Sequence, residues 1–496
     1  MAENSKMSGK DSNVNGVSPH GMKIAACALA LTIVGMATCV QAGQVPDRAR
    51  HPTWKDPDTG YTWMYSVTDD GVEICREGQF SRSDPSRGAE VLISGFDAKT
   101  WVGTNASCMV DVAIPSAIDG KPVVRIGEWA FALCTNLTSV TIPASVTSIG
   151  GVAFAGCSSL TNVAMSSSIT NIGFTAFSRC SSLPRVSIPD GVTSIQFGVF
   201  QDCRSLTSMT IPRAVTNIDA YAFLNCGSLT NVTIPAGVTG IGWAAFCGCR
   251  SLKSVAIPDS VKSIGYSTGL DNYSVAHLAD YGKMLIIGAG VFAGCDASLF
   301  DTTTIPGVKL VDGWACGFTD DLSGDVDLTG VRGIECFAFS GCKNLTGVTI
   351  PANVAEIGGG AFRCCRALTN VTIKGGAPAA GKGSVEGVRE IGIVAFAGCT
   401  NLTRVTIPAS VARIDRGAFH GCGSLANVTF LGDPPAVGEA AFENVADGCT
   451  VSVRRGSTGW GAKSRLLGKW NGMAVEEVDA AAPSPRRRAI LPRSSR

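Results

Sequence analysis

The chain carries little charge. Only 16% of its 496 residues are Asp, Glu, Lys or Arg, against about 25% in an average soluble protein. The signs nearly cancel, 41 basic against 40 acidic residues for a formal net charge of +1. That balance excludes binding of nucleic acid or an anionic membrane through bulk charge. Four histidines leave imidazole chemistry few places to act. No apolar run reaches the roughly 18 residues of an ordinary membrane span, which excludes a polytopic membrane protein. Twenty cysteines in this length are too dilute for a small disulfide scaffold. They need another reason, as do the 59 glycines and 22 prolines.

The reason is a repeat. Residues 126–149 read IGEWAFALCTNLTSVTIPASVTSI, and the same phrase recurs as IDAYAFLNCGSLTNVTIPAGVTGI and IGWAAFCGCRSLKSVAIPDSVKSI. Cys134, Cys157, Cys180, Cys203, Cys226 and Cys249 stand 23 apart, Cys295 lies two periods further on, and Cys342/Cys365 and Cys399/Cys422 repeat the interval. Thr319 and Val445 fill the cysteine's slot in two more units, and the isoleucines from Ile126 to Ile287 keep the spacing where the A-F-x-x-C element is lost. This ladder predicts about fourteen coils, with a Gly-rich insertion at residues 375–385.

Within a coil, L-x-x-V-x-I alternates as a half-buried strand does, and the following proline ends it. G-x-x-A-F-x-x-C has an i, i+3 spacing suited to a short helical or irregular turn. One 23-residue coil cannot bury its six apolar residues alone, so coils must stack on their equivalents. The expected fold is a curved right-handed leucine-rich repeat solenoid of α/β type with one continuous parallel sheet.

The pattern C-x-x-L-x-x-V-x-I-P-x-x-V-x-x-I-G-x-x-A-F resembles the BspA-like leucine-rich repeats, the Treponema pallidum type, over about 70% of the chain. The resemblance implies a secreted or surface-exposed bacterial or protist protein, often one that adheres to host proteins or other cells. It implies no catalytic residues. Two departures stand out: residues 266–285 lack A-F-x-x-C, and Cys316 occupies a phenylalanine position.

Five segments are expected. Residues 1–42 read as a signal peptide with an extended n-region: Lys23 precedes an apolar stretch to Val40, and Val40-Gln41-Ala42 offers a cleavage site. The chain would then start at Met1 or at Met22. Residues 43–111, with Trp54, Tyr61, Trp63, Tyr65 and Trp101, read as a β-rich cap. The array spans 112–453, a C-terminal cap with Trp460 and Trp470 spans 454–479, and a basic disordered tail spans 480–496.

The in-register cysteines read as a buried, reduced column, because stacked equivalents have parallel Cβ vectors that suit a disulfide badly. Cys75 and Cys108 are the best disulfide candidates. Three chemical look-alikes fail on context. Gly265-Tyr266-Ser267-Thr268-Gly269 fits a nucleophile elbow but precedes no long helix. Gly376 to Lys382 begins a P-loop, yet Gly383 replaces its Ser or Thr. Asp320, Asp321, Asp325 and Asp327 lack calcium-loop spacing. His277 and His420 have no partner ligand or nucleophile. No cofactor, metal or catalytic residue is expected.

Binding would use the residues flanking each central strand valine. The candidate face comprises Ser139, Thr141, Arg185, Thr210, Asn231, Thr233, Asn370, Thr372, Arg404, Thr406, Asn427 and Thr429. It is small, polar and nearly uncharged, without the Trp and Tyr anchors of tight interfaces, and suits avidity along a repetitive surface. The sequence thus points to an exported, non-catalytic protein that binds a host-matrix or neighbouring-cell protein, or a glycan, with no nucleic acid partner and no membrane span in the mature chain. A structural envelope solenoid without a specific ligand is the second reading.

Overall fold

The computed structural model describes residues 53–55, 57, 62–68, 71–74, 111–266, 290–378, 385–454, 460 and 469–478. The expected leader, Cys75, Cys108, Ser267 and the basic tail lie outside the described residues.

The coil running through Phe223 shows how the sequence makes the shape. Ser208–Thr210 forms the first strand, with Met209 buried and its two neighbours exposed. Ile211 and Pro212 end it, a turn closes with Val215 N–H on the Pro212 carbonyl, and Asn217–Ile218 forms a second strand. The third side is a run of turns through Ala222, Phe223 and Cys226. Each side pairs with the next coil in parallel and in register: Ser208, Met209 and Thr210 oppose Asn231, Val232 and Thr233, while Asn217 and Ile218 oppose Gly240 and Ile241.

The A-F-x-x-C side is not helical, and among the described residues the one helix is a three-residue 3-10 turn at Ala297–Leu299. Tyr221 and Asn225 both have φ of 60°, as do their counterparts Val152 (61°), Phe337 (62°) and Cys364 (58°). Interleaving left-handed residues defeats a helix. It also aims the N–H groups of Tyr221, Phe223 and Asn225 at the carbonyls of Trp243, Ala245 and Cys247 in the next coil, 2.7–2.9 Å away. The side is a third inter-coil ladder, which explains why the i, i+3 spacing is misleading here.

The core is a set of columns. Phe131, Phe154, Phe177, Phe200, Phe223, Phe246 and Phe292 stack with centroids 5.0–5.8 Å apart and rings within 11° of parallel. Phe318, Phe339, Phe362, Phe396, Phe419 and Phe442 form a second stack. Leucine, valine and isoleucine columns beside them are buried to within a few per cent. Full burial of each such side chain is worth about 1.5–3 kcal/mol.

The array has about 13 turns rather than fourteen. Phe292 stacks directly on Phe246, one level along the phenylalanine column although it lies 46 positions further on in the sequence. Cys316 does not replace a stacked phenylalanine either. It lies in the strand Trp314–Phe318, antiparallel to Val308–Val311, and Phe318 supplies the ring that faces Phe339.

Nor is there one continuous sheet. The first-strand ladder runs Asp111–Ala113, Ser139–Thr141, Asn162–Ala164, lapses, and resumes at Ser208–Thr210. Pro184 stands where other coils have threonine, and it has no N–H to give the preceding coil. The second-strand ladder lapses at the same level, between Asn171–Ile172 and Ser194–Ile195, where Gln196 replaces the usual glycine. Of the three backbone ladders only that of the turns crosses there among the described residues, through Thr175, Phe177 and Arg179 N–H groups on the carbonyls of Phe197, Val199 and Gln201.

A second seam divides two buried clusters, one running from Val112 to Trp314 and one from Val308 to Met473. Arg332 bridges it, with Nη1 on the Ile257 carbonyl (2.9 Å) and the Asp312 carboxylate (2.9 Å), and Nη2 on Asp259 (2.9 Å). At the array's ends, Gly71–Ile74 pairs in parallel with Lys121–Ile126 and antiparallel with Thr62–Thr68, and Met473–Val478 pairs in parallel with Thr450–Arg454.

Candidate binding surface

The strand register decides which side chains share a face. Ser208, Asn231 and Ser254 align in one column, with Thr210, Thr233 and Ala256 beside them. Further along, Asn370, Arg404 and Asn427 align, flanked by Thr372, Thr406 and Thr429. Ser139 aligns with Asn162, and Thr141 with Ala164. Thr141, Arg185, Thr210, Asn231, Thr233, Asn370, Thr372, Arg404 and Thr406 are exposed; Ser139, Asn427 and Thr429 are half-buried. The structure therefore groups the candidate residues in three in-register sets of first strands, one with Ser139 and Thr141, one with Thr210, Asn231 and Thr233, and one running from Asn370 to Thr429. Arg185 is the exception to the pairing, because its coil is where the ladder lapses.

This face is held from its margins. The Thr161, Thr207, Thr230 and Thr369 hydroxyls each donate to a carbonyl one coil back, at 3.0–3.2 Å. Asn162 Nδ2 donates to Ser139 Oγ, and Asn427 Nδ2 to Thr450 Oγ1 and Ser452 Oγ. Small polar side chains thus link coils as well as meeting solvent, a role that charged side chains stacked at strand spacing would oppose by repulsion.

The cysteine column is inert chemistry. Among the described residues nine thiols donate to the carbonyl of the phenylalanine in the preceding coil, including Cys157 to Phe131, Cys203 to Phe177, Cys226 to Phe200 and Cys399 to Phe362, these four at 3.1 Å. Burial pushes the thiols up, Cys180 and Cys422 to about 12, so the reactive thiolate is suppressed. None of the sixteen described cysteines forms a disulfide. A buried, reduced column is what the register of the cysteines predicts; the S–H to carbonyl bond, set up by the Phe–x–x–Cys spacing, becomes visible only in the stacked coils.

Two acids stand out elsewhere. Glu335 is fully buried at the seam between the two clusters; burial raises it to about 8, and one carboxylate oxygen accepts from Val291 N–H. Burial, then neighbouring Glu390, raises Glu356 to about 7. No group of three or more potential metal ligands is present among the described residues. Asp321 and Asp327 accept from Thr319 and Thr329, and Asp325 from Thr346, so the acidic stretch is tied up in turns and in a contact to the next coil. Among the described residues no helix is long and apolar enough to cross a membrane.

The chain is similar to several known leucine-rich repeat proteins. A leucine rich cell surface protein of Faecalibacterium prausnitzii is 25% identical, covering 82% of this chain and 96% of that one, with a TM-score of 0.38. The T. pallidum leucine rich repeat protein is 27% identical over 47% of this chain and 96% of its own, with a TM-score of 0.34. A leucine-rich repeat protein of Bacteroides ovatus is 22% identical over 84% and 98%, with a TM-score of 0.38. No curated protein matches the chain. The BspA type leucine rich repeat region matches in six copies, over residues 109–229, 216–312 and 326–447. With well over half its length so matched, the chain belongs to the BspA-type leucine-rich repeat family.

Proposed function

We propose that this protein is exported and uses its first-strand face to bind another protein, as an adhesion or interaction solenoid without catalysis. The observation that carries the reading is the in-register exposure of the Ser/Asn and Thr columns along successive coils. Such a surface repeats one weak contact many times, and repetition multiplies affinity where single contacts are feeble. Export rests on the sequence of residues 22–42, with residues 1–42 as the leader, 43–111 and 454–479 as caps over the ends of the array 112–453, and 480–496 as a free tail. Capping answers the open ladder edge and apolar end layer of any stacked array.

The test has two parts. Fractionating the producing cells should place the protein outside the cytoplasm. Surface plasmon resonance of the mature chain against purified extracellular-matrix proteins should give saturable binding. Asn231→Lys, Thr233→Glu and Thr372→Glu together should weaken it at least tenfold, with an unchanged thermal midpoint because all three side chains are exposed. Absence of saturable binding to any protein in the panel would overturn the adhesion reading in favour of a structural coat.

A further inference from the structure

On the second strand column, away from the face just described, a cleft of about 440 Å³ runs across the first four coils from Arg125 to Gln196. Its floor is glycine. A Cβ on Gly150 would sit 2.5 Å from Glu128 N, and one on Gly173 would sit 2.4 Å from Gly151 N. Coils approach too closely here for any side chain to fill the trough. One wall is the in-register column Arg125, Ser148 and Asn171. The other is the Phe174 ring, which lies over Gly151 and stays 44% exposed, with Phe197 one coil further on and 45% exposed. Gln196 ends the trough at the level where both strand ladders lapse.

Glu128 lies at the opposite end. It is half-buried, burial raises its carboxyl above the ordinary value, and it makes no hydrogen bond or ion pair among the described residues. Along the wall, Gln196 Nε2 donates to Asn171 Oδ1 at 2.8 Å and Asn171 Nδ2 donates to Ser148 Oγ at 3.2 Å. That chain fixes the amides in place and leaves the Ser148 hydroxyl proton to point elsewhere.

We propose that this cleft binds a neutral carbohydrate chain. A sugar ring presents an apolar C–H face and a rim of hydroxyls, and the cleft offers a bare aromatic ring beside an unpartnered carboxylate and preset amide and hydroxyl groups. One positive and one negative side chain line it, which favours an uncharged ligand over a polyanion. The trough runs across the strands and not along one, so an extended peptide lying in it cannot add to the sheet as a strand. Coils recur at about 4.8 Å, close to the interval of successive sugar rings in an extended chain. The site stands apart from the protein-binding face, and either reading can fail alone.

The test is isothermal titration of the full chain with cellohexaose, mannohexaose and xylohexaose, beside a sulfated chondroitin hexasaccharide and a neutral hexapeptide. At least one neutral hexasaccharide should bind saturably. Glu128→Gln and Phe174→Ala should each weaken it at least tenfold without moving the thermal midpoint, and Phe174→Trp should preserve it. Should Phe174→Ala lower the thermal midpoint, Glu128→Gln and Phe174→Trp decide. No saturable binding by the three neutral probes would overturn the proposal. So would unaltered affinity in Glu128→Gln, or tighter binding of the sulfated probe or the peptide.

Discussion

Each apolar slot in the coil has one job, and the cysteine slot shows how narrow the job is. A residue three positions after the stacked phenylalanine must be small enough for the core and still offer a donor to the preceding coil's carbonyl. Cysteine does both. Cys226→Ala removes the Sγ contact to Phe200 and leaves a void, so urea unfolding should show a loss on the order of 1–3 kcal/mol. An unchanged midpoint would show the S–H bond and its packing to be dispensable. Glu335 is the opposite case, a large acid in a slot that is glycine at Gly358 and Gly392. It fits because the hairpin Val308–Phe318 displaces the regular coil before it, and its second carboxylate oxygen has no partner among the described residues. Its folded-state value of about 8 lies above the ordinary glutamate value of 4.5. The folded protein keeps a proton that the unfolded chain releases, so stability falls as pH rises between about 4.5 and 8 and levels off above. Thermal midpoints at pH 5, 6.5 and 8 should decline in the parent and decline less in Glu335→Gln; parallel slopes would contradict this.

At the scale of the strand and turn, inter-coil spacing is enforced where glycine follows the second-strand isoleucine. A Cβ on Gly242 would meet Ala220 N at 2.2 Å, whereas one on Gly227 would meet nothing within 4 Å. Gly242→Ala should therefore destabilise by about 1–3 kcal/mol, while Gly227→Ala stays within about 0.5 kcal/mol of the parent, both read by chemical denaturation. Equal effects would show that the close approach is not limiting. The strands themselves were legible in the sequence, because alternation around Val140 or Val232 is a period-two signal bounded by proline. The turn side was not. Apolar spacing in A-F-x-x-C fits a helix, but spacing carries no record of φ, and the left-handed residues at that side include Val, Tyr and Phe as well as glycine and asparagine. Their hydrogen bonds go to the next coil, so only stacked neighbours reveal the conformation.

For the molecule as a whole, a stacked array is only as cooperative as its weakest interface. Arg332 ties the two clusters through Asp259, Ile257 and Asp312, and Cys336 N–H reaches the Ile264 carbonyl beside it. Arg332→Met keeps the stem and removes the guanidinium's bonds to Ile257, Asp259 and Asp312. Hydrogen exchange should then rise at residues 257–264 and 333–337, and urea unfolding should separate into two transitions; one transition with unchanged exchange would refute the seam. The sequence by itself determined the repeat, its length, the buried columns and the family, because every coil must solve the same burial problem with the same residues. It also placed the candidate residues beside the central valine of each coil's first side, since a period of two leaves them no inward direction. What it could not decide was where the periodicity fails. Phe292 lands on Phe246, Phe318 takes a place that spacing gives to Cys316, and both ladders lapse beside Pro184 and Gln196. Those outcomes depend on which coil is physically adjacent, and adjacency is a property of the stack, set by contacts between residues that lie 23 or more positions apart.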